Sequence, residues 1–375
     1  MPLIVAAKFR GLVLMAAIGL IAYASAAFAA EPGITLYGVV DTGISYTRVQ
    51  DAEKTPRQRT GLTTGGLSDS LIGMKGQEAL AGGWLATFQL ESMIDATTGS
   101  LADPSRFFDS NAWVGLANDQ FGEIRFGRQR LAGQQFGSLL EIASWKDMPM
   151  GATFKASDNY QVDNTVNYLS PSWAGFSFGA GYSFDAIGGQ INGRKSPVSS
   201  VALKYENGPL LAVATWDKAY LSTPALRDPV RPQAWQLGAA YDFGVAKVSL
   251  AWSRQKDGYV GLDGGDPDNL GLGLGATEFV RGGRLDAYLA GLSIPVGASS
   301  SVVAQWSVVK PHWRWQDGEN AATGHVATLG YIYNLSSRSR LYAMAGVAKR
   351  YSLDDQVVQN QGTTVRYMAG LNHSF

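Results

Sequence analysis

Cysteine is absent from the 375 residues, which excludes a disulfide scaffold, a thiolate metal site and a thiol nucleophile. Histidine is scarce: His312, His325 and His373 are the full set of 3, and none sits in a supporting catalytic motif. Net charge is missing as well. The 31 basic and 31 acidic residues cancel, so no whole-molecule field draws the chain to nucleic acid. Beyond residue 30 no apolar run approaches the roughly 18 residues that a spanning helix needs. Charged residues make up only 17% of the chain, which disfavours disorder.

What is present is glycine, at 45 residues, and aromatics, at 11%, a composition suited to many strands joined by turns. The N-terminus carries Lys8 and Arg10, an apolar block from Gly11 to Tyr23, and Ala27-Phe28-Ala29, whose small residues suit cleavage before Ala30. These features predict an export leader over 1–29 and a mature domain over 30–375. A retained membrane anchor is the alternative, disfavoured by a short core rich in Ala and Gly.

The stretch GFSFGAGYSF, residues 175–184, shows the dominant pattern. Phe176, Phe178, Ala180, Tyr182 and Phe184 share one face of a strand, and Gly175, Ser177, Gly179, Gly181 and Ser183 share the other. AWQLGAAYDF and AKVSLAWSR repeat the device on either side of a Gly244-Val245 turn and read as a hairpin. Further alternating segments fall at 34–47, 70–79, 83–94, 111–118, 122–129, 165–170, 199–207, 210–220, 284–294, 301–310, 325–335, 340–349 and 365–375, for about sixteen strands in all. Tight turns alternate with longer polar loops at 48–69, 185–198, 221–233, 255–283 and 311–324. This asymmetry predicts an all-β fold: a transmembrane antiparallel barrel with short turns at one end and long loops at the other. Lipid outside and water inside explain the alternation, and closure pairs every backbone polar group. Tyr37, Trp84, Trp113, Tyr333 and Tyr351 are placed in the interfacial girdles.

ITLYGVVDTGISY, GMKGQEAL, GGWLATFQLES, WVGLANDQFGEIRFGRQ, NTVNYLSPSWAGFSFGAGYSF and the terminal AGLNHSF, taken in order, resemble the sixteen-stranded general diffusion porins of Gram-negative outer membranes, specifically the β-proteobacterial type. The resemblance spans essentially the whole mature chain. It implies a water-filled channel for passive diffusion of ions and small hydrophilic solutes, a homotrimer, and an outer-membrane setting of lipid and lipopolysaccharide. It also implies that the loop after the fifth strand, about Leu131 to Asn164, folds into the lumen. That loop carries Glu141, Asp147, Asp158 and Asp163 as constriction acids, against Lys146 and Lys155.

Basic groups on the facing wall are implied too, and Leu71, Ser110 and Asn167 depart from that pattern. The remaining candidates are Lys75, Arg106, Arg125, Arg128 and Arg130, with Arg106 sharing strand parity with Ser110. Parity groups Arg128 with the lipid-facing Ile124 and Phe126, and an inward bend at Gly127 is required to bring it to the pore. Phe375, with Leu371, Ala369 and Tyr367 in register, resembles the signal read by the barrel-assembly machinery; a final lipid-facing strand is the plainer reading.

GFSFG also fits the G-x-S-x-G nucleophile elbow, with Ser177 as the serine. Strand follows it where a helix is needed, and no histidine has a partnering motif, so an outer-membrane barrel hydrolase is a minor alternative and the chain is read as non-enzymatic. A receptor or adhesin role through the long loops is the other alternative. LGLGLG lacks the spacing and βαβ frame of a phosphate loop, and Asp266/Asp268 and Asp354/Asp355 read as solvated loop acids, so no cofactor or metal is expected. Trp313 and Trp315 read as parts of a hairpin rim.

Overall fold

A computed structural model describes residues 33–50, 56–143, 161–186, 195–220, 222, 229–258, 282–314, 317–350 and 362–375. The expected leader, Asp147, Asp158, Tyr351 and the LGLGLG run lie outside the described residues. The strands are β1 (Gly33–Gln50), β2 (Arg57–Thr64), β3 (Leu71–Ala79), β4 (Trp84–Met93), β5 (Asn111–Asn118), β6 (Gly122–Gln129), β7 (Val162–Leu169), β8 (Phe176–Ser183) and β9 (Val198–Asn207). They continue with β10 (Leu210–Ala219), β11 (Gln233–Asp242), β12 (Lys247–Lys256), β13 (Arg284–Val296), β14 (Ser300–Pro311), β15 (Gly324–Asn334), β16 (Ser339–Lys349) and β17 (Thr363–Ser374). One short helix, α1 (Ala132–Gly137), lies between β6 and β7.

Each strand from β3 onward pairs antiparallel with the next, and β17 returns to β1. The first half of β1 pairs with β3 and the second half with β2. Because β2 and β3 occupy one position beside β1, the 17 segments make a closed barrel of sixteen staves. The seam is fixed at the chain's end by Phe375, whose N–H donates to Gly38 O at 3.0 Å and whose carbonyl accepts from Gly38 N at 3.2 Å.

The expected loop over 48–69 is therefore partly sheet. β1 runs on to Gln50, and RQRTGLTT forms β2 opposite it. Backbone pairing alone makes this extension, since β2 lies at the long-loop end and carries no alternating apolar face. The break between β2 and β3 is organised by Asp41. Its buried carboxylate accepts from the N–H groups of Gly66, Leu67 and Ser68 at 2.9–3.1 Å, from Tyr342 Oη at 2.6 Å and from Asn372 Nδ2 at 2.8 Å.

Alternation follows the two solvents. Phe176, Phe178 and Tyr182 of β8 are exposed on the outside, whereas Ser177 and Ser183 are buried on the inside. Leu237, Leu250 and Leu329 likewise face outward. Trp84 and Tyr333 do stand near strand ends, with Trp84 stacked on Phe121 at 5.9 Å. Two girdle assignments are corrected. Trp113 shares parity with Gly115 and is buried inside, opposite the exposed Val114 and Leu116. Tyr37 points to the same inner side, donating to Glu91 Oε2 at 2.7 Å.

Candidate functional site: the barrel lumen

After β6 the chain turns inward and crosses the interior. Asn167 of β7 donates to the Arg130 carbonyl at 3.4 Å and Gln135 Nε2 donates to it at 2.8 Å, which ties down the entry of the crossing segment. Its described residues are pinned strand by strand. Gly133 N donates to Ser200 Oγ of β9 at 2.7 Å, and Gln236 Nε2 of β11 to Gly137 O at 3.5 Å. Ser249 Oγ of β12 donates to Leu140 O at 2.5 Å, and Ala143 N to Gln305 Oε1 of β14 at 3.0 Å.

Apolar packing reinforces these bonds. Leu131 packs with Val162 and Val198, Leu140 with Val213 and Leu289, and Ile142 with Val303 and Met344. The wall beneath has small residues where the segment lies closest. A Cβ on Gly179 of β8 would stand 2.6 Å from the Ala132 Cβ. The glycine and serine face of GFSFGAGYSF thus makes room for a chain segment, which is the physical content behind the serine-elbow resemblance. His312, His325 and His373 all lie on or beside β14, β15 and β17, away from Ser177 on β8.

Of the four expected constriction acids, Glu141 and Asp163 are described. Glu141 belongs to the crossing segment and is buried against the wall, with Gln305 Nε2 donating to its Oε2 at 2.5 Å. Asp163 does not belong to the inserted loop: β7 begins at Val162, so this acid is part of the wall. It accepts from Arg128 Nη1 at 2.7 Å and pairs with Arg106 Nη2 at 2.8 Å.

Arg128 reaches that position because the β6–β7 register slips between Gly127 and Gln129. Gly127 has φ +133°, and a Cβ there would meet Ala112 O at 2.2 Å, so only glycine fits the bulge. The bulge turns Arg128 off the outward parity of Phe126, and its Nε and Nη1 also donate to Asp109 O at 2.6 Å and Gln161 O at 3.1 Å. Arg106 is corrected as well: it lies in the 94–110 loop before β5 rather than on a strand, so parity with Ser110 does not apply.

The same loop holds three acids in different states. Burial acts to raise Asp103, but hydrogen bonds from Ser105 and the neighbouring Arg106 outweigh it and hold the carboxyl below its ordinary value. Burial likewise acts to raise Asp95, and hydrogen bonds from Thr97 and Thr98 bring it below the ordinary range. In Asp109 burial wins over the Met93 N–H, and the carboxyl is raised.

Lys75 and Arg125 lie on the inner wall. Lys75 stands over the Tyr37 ring at 5.2 Å, and Arg125 stacks on Trp113 at 4.3 Å while donating to Glu123 Oε2 at 2.6 Å. Arg130 is half-buried where the crossing segment begins. Sequence reasoning missed Glu91, a buried acid on β4 that accepts from Tyr37, from Asn111 Nδ2 at 2.9 Å and from Ser110 Oγ. Its inward parity with Thr87 and Gln89 was the available signal. Tyr367 and Leu371 are exposed on the outer face of β17, and the Phe375 ring lies against Gly38.

The sequence profile of the Gram-negative porin family matches residues 14–351. An outer membrane porin protein of Bordetella pertussis is 34% identical, over 94% of this chain and 98% of the relative. Outer membrane porin protein 32 of Delftia acidovorans is 30% identical over 90% of each chain. Among solved structures, the anion-selective porin from Comamonas acidovorans superposes with a TM-score of 0.73 at 27% identity, covering 92% of this chain and all of that one.

Proposed function

The chain belongs to the Gram-negative porin family, and from that premise we propose that its channel favours anions. It is an outer membrane porin, a β-barrel whose water-filled lumen passes ions and small hydrophilic solutes down their gradients. The family is one of channels; solutes are sorted by lumen width and charge, with no covalent step.

The observation that carries the anion preference is that four described acids of the lumen are held by donors while one base is left without a carboxylate. Asp163 is shared by two arginines, and Glu123 accepts from Arg125 and from Thr87 Oγ1 at 2.9 Å. Glu91 is ringed by hydroxyl and amide donors, and Glu141 is held by Gln305. Lys75, by contrast, meets an aromatic face, and no carboxylate pairs with it among the described residues. A carboxylate shared by two arginines leaves a positive excess, and an ammonium with no carboxylate partner in a low-dielectric passage acts strongly on a solute. The anion selectivity named for the Comamonas structure points the same way. In this reading Lys75 is the principal selectivity residue, and Arg125, paired with Glu123, is secondary. Arg106, Arg128 and Arg130 set the wall and the entry of the inserted segment.

Planar-bilayer recording under a salt gradient tests the proposal. The reversal potential should have the sign of an anion-preferring pore, and Lys75→Gln should move it towards cations. A cation-preferring wild type would overturn it. The homotrimer, the cleaved leader and recognition of Phe375, Leu371 and Tyr367 by the assembly machinery belong to the same reading. Crosslinking in the membrane, the N-terminal sequence of the mature protein and assembly of Phe375→Ala, respectively, test them.

A further inference from the structure

The outer face of the barrel carries a charge cluster that the channel does not use. Asp286 of β13 has the parity of the exposed Tyr288 and Leu292, so it points away from the lumen, as do Arg254 on β12 and Lys310 on β14. Register places Arg254, Asp286 and Lys310 in one row, with Lys256 and Arg284 in the row above. Asp286 is nearly buried and locks the cluster. It binds Arg254 Nε at 2.7 Å, His312 Nε2 at 3.0 Å and Arg284 Nε at 3.4 Å, and these three partners remain about two-fifths exposed. Lys310 stands over the Tyr288 ring at 5.5 Å. Among the described residues, four lysines and arginines thus surround one carboxylate, while the neighbouring Asp257 is turned to the Gly282 N–H at 2.7 Å.

Directly towards the mid-membrane the same strands form an apolar trough of about 840 Å³. Its floor is made of Ala290, Ala304, Ala327 and Ala345, between Trp306 and Tyr367. Small side chains on four successive strands leave a channel for hydrocarbon, and the bases stand at its long-loop end, where outer-leaflet headgroups lie. Isolated interfacial bases need no buried acid to hold them in position. A fixed set of arginine edges over an acyl-sized trough is the complement of a phosphate joined to fatty chains.

We propose that the outward faces of β12 to β16 form a binding site for one acylated, phosphate-bearing lipid of the outer leaflet. The phosphate sits among Arg254, Arg284, Lys256 and Lys310, and an acyl chain lies along the alanine floor. The proposal depends on the outer-membrane setting and is independent of the channel's ion preference.

Native mass spectrometry of the delipidated full-length protein in detergent tests it, with diphosphorylated lipid A and the same lipid after dephosphorylation as the two probes. Wild type should retain one diphosphorylated lipid and bind the dephosphorylated form far more weakly. Lys256→Gln/Lys310→Gln leaves the Asp286 ion pairs intact and should weaken the phosphorylated lipid by about thirtyfold without changing the other. Ala327→Trp should weaken both. Single-channel conductance, read at the lumen, should be unchanged in every variant and reports that the barrel has formed. Equal binding of the two lipids by wild type, or an unchanged affinity in the double lysine variant, would overturn the proposal.

Discussion

The two sides of the lumen obey different rules. From β8 to β14 the inner wall has small residues at the points where the crossing segment lies closest, so that this half is packed like the interior of a soluble domain. From β3 to β7 it is built of Lys75, Glu91, Arg125, Arg128 and Asp163, each engaged with a neighbouring polar or aromatic group. One half gives the opening its shape and the other gives it its charge. The alternation along the strands is the same on both; only the size and polarity of the inward residue differ.

The largest effect is expected where the charged half loses the acid that ties two of its bases together. Asp163→Leu removes the carboxylate that Arg106 and Arg128 share and should cost about 3 kcal/mol, seen as a lower temperature at which the unboiled barrel loses its fast gel mobility. Gly179→Val invades the packed half. It should cost about 1–3 kcal/mol and displace the segment at Ala132, changing single-channel conductance while leaving the sign of the reversal potential alone. Glu141→Gln should leave conductance nearly unchanged and move the reversal potential less than Lys75→Gln does, because Gln305 already caps the carboxylate. A larger shift for Glu141→Gln would show that the acid acts on solutes directly.

The smallest effect concerns pH. The carboxyls of Asp95 and Asp103 lie below their ordinary range, so their contribution to loop stability is complete above the unfolded value of about 4. It is lost as pH falls through the lower folded values. Both groups are largely solvated, so the loss is a few tenths of a kcal/mol. Amide exchange at Thr97 and Ser105, corrected for intrinsic rate, should rise over that window while the β3–β6 wall stays protected.

The barrel was legible because lipid imposes a period of two on every spanning strand. WVGLAN and GEIRFG declare their outward residues without any knowledge of partners. β2 was not legible, since pairing beyond the bilayer requires backbone and no apolar face. The site was half legible. Lys75 and Arg125 follow simple parity, whereas Arg128 depends on a bulge whose single sign in the sequence is Gly127. Asp163 was misassigned because the extent of β7 is set by pairing with β6 rather than by its own pattern. Trp113 and Tyr37 follow the inward parity of their neighbours rather than the girdle preference of their residue type.

The bond between Gly38 and Phe375 has a temporal consequence. A tube whose closing stitch joins β1 to β17 has no shorter version of itself: until β17 has been synthesised, every intermediate is an open sheet with two raw edges. Contacts this distant in sequence form late and slowly. Sealing of the wall therefore follows the synthesis of β17.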